Sequence, residues 1–372
     1  MKEKKSGKKK VGRIIGRVCA VLFSAIFTVF LALYGSMWIF CHGPSKAARD
    51  LYVSTILETG ALKFLAKWYF DEDEILEITK NNSMGHLDGE VDTSLIKVDN
   101  VDNDDEEDDD DGEELGYEDN FDENGIEIFT VTGRSYMGKV MIIKDPSKVS
   151  VATIYPWSSF DKEKQGQTLD QIVHNAGAIA GVNGGEYCSD GNWGGRPKGL
   201  VVSNGEIQYN SPQSGDVMVG FNSDNILVIE DIGDKSEAQV EELVRNKKIR
   251  DAVSFKDVVG GDNNHFTKLI LNGETVPLNG NGSGANPRTA IGQRKDGAVI
   301  IFVTDGRGHE SHVGATAADL IGVLEEYGAV NAANLDGGSS SSMYYKDKYE
   351  MTSVTLYYST SSWRLPTAVV VK

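Results

Sequence analysis

Hydrophobic positions follow three regimes along the chain. Residues 18–41 (VCAVLFSAIFTVFLALYGSMWIFC) are an uncharged, mostly apolar run. About 20 apolar residues in a helix are enough to cross a bilayer core, so the run predicts one transmembrane helix with room to tilt. A cleaved signal would have a shorter core, about 7 to 15 residues, followed by small residues. This run instead ends on Trp38, Ile39 and Phe40, so a retained anchor is expected. Helical spacing follows over 45–80. Ser45 serves as a cap, and Leu51, Ile56, Leu57, Leu62, Phe64, Leu65 and Trp68 form the apolar stripe. This stem is expected to lie on the outer membrane surface or against a partner.

From Ile126 the pattern shortens to β-rich runs, IEIFTVT, KVMIIKD, VSVATIY, AIAGV and VIIFV, with turn residues between them. Hairpins are predicted at Asn204-Gly205, Asn272-Gly273 and Asp296-Gly297. Amphipathic helices are predicted over 168–175, 236–247 and 316–327. The last is capped by Thr316 with Asp319 and stopped by Gly328. Strands dominate and helices are few. The expected class is α+β, a mixed and largely antiparallel sheet domain with flanking helices behind one transmembrane helix.

Charge changes this picture locally. The net charge is −19, yet sixteen Asp or Glu and no Lys or Arg fall within residues 99–123. Outside that tract, 37 basic residues of the whole chain face 40 acidic ones, so the charge is mostly local, and nothing basic beyond the N-terminal tail suggests a nucleic-acid partner. Such a tract repels itself and lacks apolar content for a core, which predicts a solvated tether. Residues 1–17 carry eight Lys or Arg, so the positive-inside rule keeps the N-terminus cytoplasmic and the large domain outside. The expected organisation is 1–17 cytoplasmic tail, 18–41 membrane helix, 42–80 helical stem, 81–125 acidic disordered linker and 126–372 large folded domain. Cys188 alone lies beyond the membrane run, so no disulfide framework is available. That usage fits a bacterial exported protein.

Candidate chemistry gathers where strands run into glycine. Asn183-Gly184-Gly185-Glu186-Tyr187, Asn286-Pro287-Arg288-Thr289, Val303-Thr304-Asp305-Gly306-Arg307 and Asn334-Leu335-Asp336-Gly337-Gly338 each couple glycine to a polar or charged group. Loops at strand ends commonly build sites, and glycine N–H groups can approach an anion closely. Asp305 and Asp336 supply a carboxylate pair, and Arg288 and Arg307 supply forks suited to phosphate. Carboxylates beside guanidinium groups suit hydrolysis at a sugar bearing an anionic group. His309 and His312 follow Asp305, but the loop is not clearly helical. A divalent metal at Asp305, His309 and His312 is therefore the less favoured reading, and no cofactor is expected. His265 is a weaker candidate general acid.

The stretches GVNGGEY, NPRTAIGQRKDG, VTDGRG, GATAADLIGVLEEYGAVNAANLDGG and RLPTAVVV, in that order over 177–372, resemble the phosphodiester glycosidase family. The resemblance implies hydrolysis of the bond between an anomeric carbon and a phosphodiester. It points to catalytic roles for Asp305 and Asp336, to which Glu186, outside the family motif, adds a third carboxylate as candidate acid or base. It also implies substrate contacts from Asn183, Gly184, Gly185, Arg288, Thr289, Gly306, Arg307, Gly337, Gly338 and Arg364, with Ser340 in a serine run able to donate to phosphate. Two departures stand out. Glu186 precedes the aromatic expected after Asn-Gly-Gly, and Ser339 and Ser342 replace a glycine and a threonine. The expected substrate is a carbohydrate phosphodiester in a cell-envelope glycopolymer of a Gram-positive bacterium. Two rivals are a non-catalytic binder of anionic polysaccharide and a metal-dependent phosphodiesterase.

Overall fold

The computed structural model describes residues 3–59, 62–98, 120–154, 165–188, 194–258, 265–353 and 360–372. Three sheets surround one apolar core, and every described strand pairing is antiparallel. The first sheet runs β1 (Ile126–Thr132), β2 (Met137–Ile143), β15 (Val299–Thr304), β14 (Thr289–Arg294), β16 (Ala329–Asn334), β12 (Lys268–Leu271) and β13 (Glu274–Thr275). The second runs β10 (Leu227–Asp231), β9 (Asp216–Asn222), β11 (Ile249–Lys256), β7 (Gly199–Ser203) and β8 (Glu206–Ser211). The third runs β18 (Lys348–Thr352), β17 (Ser342–Tyr345), β4 (Ala180–Asn183), β19 (Thr367–Val371) and β3 (Val149–Thr153). A short ribbon pairs β5 (Tyr187–Cys188) with β6 (Arg196–Pro197).

Period-two alternation decides which face each strand buries. Along β15, Val299, Ile301 and Val303 enter the central core, while Ile300 and Phe302 face the opposite layer. Along β19, Val369 and Val371 point inward and Ala368 and Val370 outward. Each outer face is then covered by one helix of the domain. Helix α6 (Ala317–Glu326) covers the first sheet, α5 (Glu237–Asn246) the second and α4 (Leu169–Asn175) the third. All three carry capping boxes, Thr316 with Asp319, Ser236 with Gln239 and Thr168 with Gln171, which satisfy exposed N–H groups of the first turn. The Asn204-Gly205 and Asn272-Gly273 turns have positive φ at both residues, the geometry a tight hairpin requires.

Helix α1 (Glu3–Cys41) is continuous, and its Gly12–Cys41 portion is long and apolar enough to cross a membrane. The stem differs from one continuous amphipathic element. It folds into α2 (Lys46–Leu57), a 3₁₀ turn (Lys63–Trp68) and α3 (Glu72–Asn81), because Asp71 caps a new helix through a capping box with Glu74. Val53, Ile56, Leu57, Ala66, Phe70, Ile75 and Ile78 pack with Cys41 into a small core of their own.

Residues 82–98 also depart from the expected tether. They run along the domain, with Met84 and Leu87 buried beside Phe266 and Leu269, and Ile96 beside Ile226 and Val330. These apolar anchors precede the acidic tract, which begins at Asp99. Further along, Asp122 accepts from Lys346 Nζ at 3.0 Å, and Glu123 does likewise. Residues 99–119, the centre of the acidic tract, lie outside the described residues.

Candidate functional site

The ends of four strands deliver the chemical groups to one edge of the sheets. Strand β4 ends on Asn183 and turns through Gly184-Gly185 to Glu186. Strand β16 runs into Leu335 and Asp336. Strands β14 and β15 lie side by side, with Arg288 entering one and Asp305 leaving the other. Asn183 is the clamp. Its Nδ2 donates to the Asp336 carbonyl at 2.6 Å, and its Oδ1 accepts from Thr289 Oγ1 at 2.8 Å and Ser342 N at 3.2 Å. Asn183 and Thr289 are fully buried, so their polar groups serve to lock strand ends together.

The glycines act in the same way. Gly184 N donates to Thr367 O, and a Cβ there would lie 2.4 Å from Thr367 Oγ1. A Cβ on Gly185 would lie 2.5 Å from Ser254 O. Gly338 N donates to Pro287 O, and Gly337 N to Asp336 Oδ1 at 3.0 Å. The N–H groups of Gly184, Gly337 and Gly338, expected to face an anion, are committed inside the protein. Close backbone approach accounts for these glycines.

Two carboxylates at this edge feel each other's charge. Burial drives the Asp336 carboxyl up to about 7. Hydrogen bonds from Ser340 and Gly337 and the charge of Lys198 pull against that rise, and the negative charge of Glu186 adds to it. Glu186 is held through Oε1 by Lys198 Nζ at 2.7 Å. Its Oε2 is buried without a hydrogen-bond partner among the described residues. Tyr187 OH meets Ser340 Oγ at 3.0 Å, which fixes the serine beside Asp336. His265 is kept below its ordinary pKa by burial and by Arg288, Lys63 and Lys256, with Glu186 opposing them. Asp216, also buried, is pushed up to about 6 by desolvation, opposed by the Gln213 N–H and Lys256, with Glu186 adding to the rise.

The arginines divide between two settings. Arg307 is exposed, with φ +56°, and its Nη1 donates to Ser339 Oγ at 2.6 Å. A Cβ on Gly338 would lie 2.6 Å from Arg307 Nη2, so the guanidinium rests directly on the Asp336 loop. Arg288 is buried over the Phe266 ring at 4.8 Å and donates to Glu58 Oε2 at 2.5 Å and Gly284 O at 2.8 Å. Glu58, at the end of α2, also accepts from Gly284 N at 2.7 Å, and Thr55 Oγ1 accepts from Ala285 N at 3.0 Å. The stem is thereby seated on the loop that carries Arg288.

Asp305 is fully buried and does not stand alone with Asp336. Its Oδ1 accepts from Met137 N at 2.8 Å, and its Oδ2 lies 2.6 Å from His312 Nδ1. Gly306 sits where a Cβ would meet Val313 O at 2.7 Å, bringing the loop back so that His312 reaches Asp305. The His309 side chain lies outside the described residues, and among those described no three His, Cys, Asp or Glu side chains form a metal-type group. Arg364 donates to Gly166 O at 3.1 Å. Sequence reading did not foresee Lys198, Asp216 or Glu58 here, nor the pairing of His312 with Asp305. Their separations along the chain leave no local signal.

The three-sheet α+β domain thus carries two interacting carboxylates and an exposed guanidinium on a glycine loop. The chain belongs to the phosphodiester glycosidase family, whose family model matches residues 176–372, more than half of its length. It is 45% identical over 64 residues to YomE, an SPbeta prophage-derived uncharacterized protein of Bacillus subtilis (strain 168). That match covers 17% of this chain and only 10% of the relative. Among solved structures, it is similar to the zebrafish N-acetylglucosamine-1-phosphodiester alpha-N-acetylglucosaminidase catalytic domain auto-inhibited by pro-peptide. The identity is 22% and the TM-score 0.47, over 66% of this chain and 81% of that one. A hypothetical protein from Synechocystis gives 16% and 0.41, over 67% of this chain and 62% of that one.

Proposed function

We propose that this protein hydrolyses a sugar 1-phosphodiester in a cell-envelope glycopolymer, at the outer face of a membrane that α1 spans with its basic end inside. The observation that carries the reading is Asp336, a carboxyl raised to about 7 that feels the charge of Glu186, whose Oε2 is buried without a hydrogen-bond partner among the described residues. A carboxyl raised to about 7 can hold a proton near neutral pH and give it to a leaving group, while a second carboxylate takes one from water. Glu186 Oε2 takes a proton from water as that water attacks the anomeric carbon. The bond from that carbon to the phosphate oxygen breaks, and its electron pair leaves with a phosphomonoester that Asp336 protonates. Arg307 holds the phosphodiester. Lys198 keeps Glu186 in place, and Ser340 and Tyr187 orient Asp336. Family membership supports the substrate class, and the basic residues 1–17 support the topology.

The test uses the full chain in nanodiscs with a synthetic sugar 1-phosphodiester in ¹⁸O-water. Label on the sugar C1 hydroxyl is expected. Label on phosphate would make the protein a phosphodiesterase, and saturable glycan binding without turnover would make it a binding protein. Either result overturns the reading.

A further inference from the structure

The stem turn Lys63–Trp68 has two unlike sides. Leu65 and Ala66 face the stem core, whereas Leu62, Phe64 and Trp68 are 43%, 50% and 47% exposed. Phe64 and Trp68 stack edge to face at 5.3 Å, so the exposed side is one continuous aromatic surface. That surface is not remote from α1. Trp68 meets Phe30 edge to face at 6.4 Å, Tyr69 stacks on Tyr34 at 5.2 Å, and Tyr34 OH donates to Trp68 O at 3.5 Å.

These contacts fix a depth. At 1.5 Å per residue, Tyr34 lies roughly 10 Å and Phe30 roughly 16 Å before the end of α1 at Cys41. The turn therefore folds back alongside the apolar helix, well inside the Gly12–Cys41 portion. Whatever medium surrounds α1 at Phe30 and Tyr34 must also surround Trp68. Lys63 and Lys67 flank the aromatics, the composition of a segment whose rings sit at headgroup level while its ammonium groups reach water or phosphate.

We propose that residues 62–68 are a lipid-seated wedge, with Leu62, Phe64 and Trp68 entering the same leaflet as the outer end of α1. The proposal rests on α1 spanning the membrane and is independent of the reaction assigned to the domain. It has a consequence for the site. Glu58, bonded to Arg288, is four residues from Leu62, a stretch that spans at most about 14 Å. The wedge thus holds the edge carrying Arg288 close to the bilayer surface, where membrane-borne glycosyl phosphodiesters would meet it.

The test compares the full chain in nanodiscs of plain and acyl-brominated phosphatidylcholine, with Trp38→Phe, Trp68→Phe and double variants. Trp68 and Trp38 are both exposed, so neither replacement opens a core. The Trp38→Phe chain is expected to lose emission in brominated lipid, and that loss should vanish in the double variant. Quenching in Trp68→Phe but not in Trp38→Phe overturns the wedge while α1 still spans. Quenching in neither single variant overturns the spanning helix as well. Disulfide capture of Phe64→Cys between two copies in one disc, without Trp68 quenching, would assign the face to a second chain and also overturn the proposal.

Discussion

Glu58 Oε2 accepts a hydrogen bond from Arg288 Nη2 at 2.5 Å across 230 residues of chain, with the two side chains 5% and 10% exposed. A buried pair broken from one side leaves an uncompensated charge, which costs about 3–5 kcal/mol. Glu58→Ala should therefore destabilise the full chain by an amount of that order in urea unfolding. The Glu58→Ala/Arg288→Met double variant should recover part of the loss. Equal stability of Glu58→Ala and the native chain would show that the stem is not seated on the domain. A domain begun at Ile126 lacks this acid and should share the defect.

Asp336 sets the pH response. Its carboxyl moves from an ordinary 3.8 to about 7 on folding, so the folded chain binds that proton more tightly than the unfolded one. The stability it contributes is fully present below the unfolded value and is lost as pH rises through about 7. Asp336→Asn should flatten the slope of stability between pH 4 and 7. In the reaction the same variant should lose about 10²–10⁴ in kcat. An unchanged pH–stability slope in Asp336→Asn would remove the burial argument.

Asp305 and His312 act as one unit in this geometry. Asp305→Asn keeps an acceptor for Met137 N–H but turns an amide donor toward His312 Nδ1, which reverses the ring's tautomer preference. In a double-mutant cycle on kcat, Asp305→Asn and His312→Ala should each lower the rate, with little further loss when combined. Strictly additive losses would mean that the two residues serve separate ends.

Gly338 supports Arg307. Its φ is +63°, and alanine would place a Cβ 2.6 Å from Arg307 Nη2. Left-handed backbone at alanine costs roughly 1–2 kcal/mol. Gly338→Ala should lose about that in stability and raise KM for a phosphodiester more than it lowers kcat, since Arg307 is displaced from the loop. Unchanged KM would take Arg307 out of substrate binding.

Repeating local patterns made much of the architecture legible. Period-two runs such as VIIFV predict a strand with one face toward each layer, and Thr316-x-x-Asp319 predicts the start of α6, because both depend on neighbours within a few residues. The apolar run ending at Cys41 and the order of the glycine motifs are likewise properties of the chain itself. Which motif residue does what was not legible. Asn183 and Thr289 carry motif positions, yet their hydrogen bonds join strand ends far apart in sequence, and Asp305 finds its partner in His312 through a returning loop. Residues 82–98 show no helix or strand period that would set them apart from a tether, yet Met84 and Leu87 bury on a surface assembled from distant strands.

The sequence by itself determined the membrane-length helix, the strand-rich class of the domain and the family whose motifs it carries, since these follow from composition, period and order. Only the tertiary structure decided that Glu186 stands beside Asp336 and that Glu58 from the stem closes on Arg288. Desolvation and charge pairing depend on distances between groups that the chain separates by up to 230 residues, and no local pattern encodes those distances.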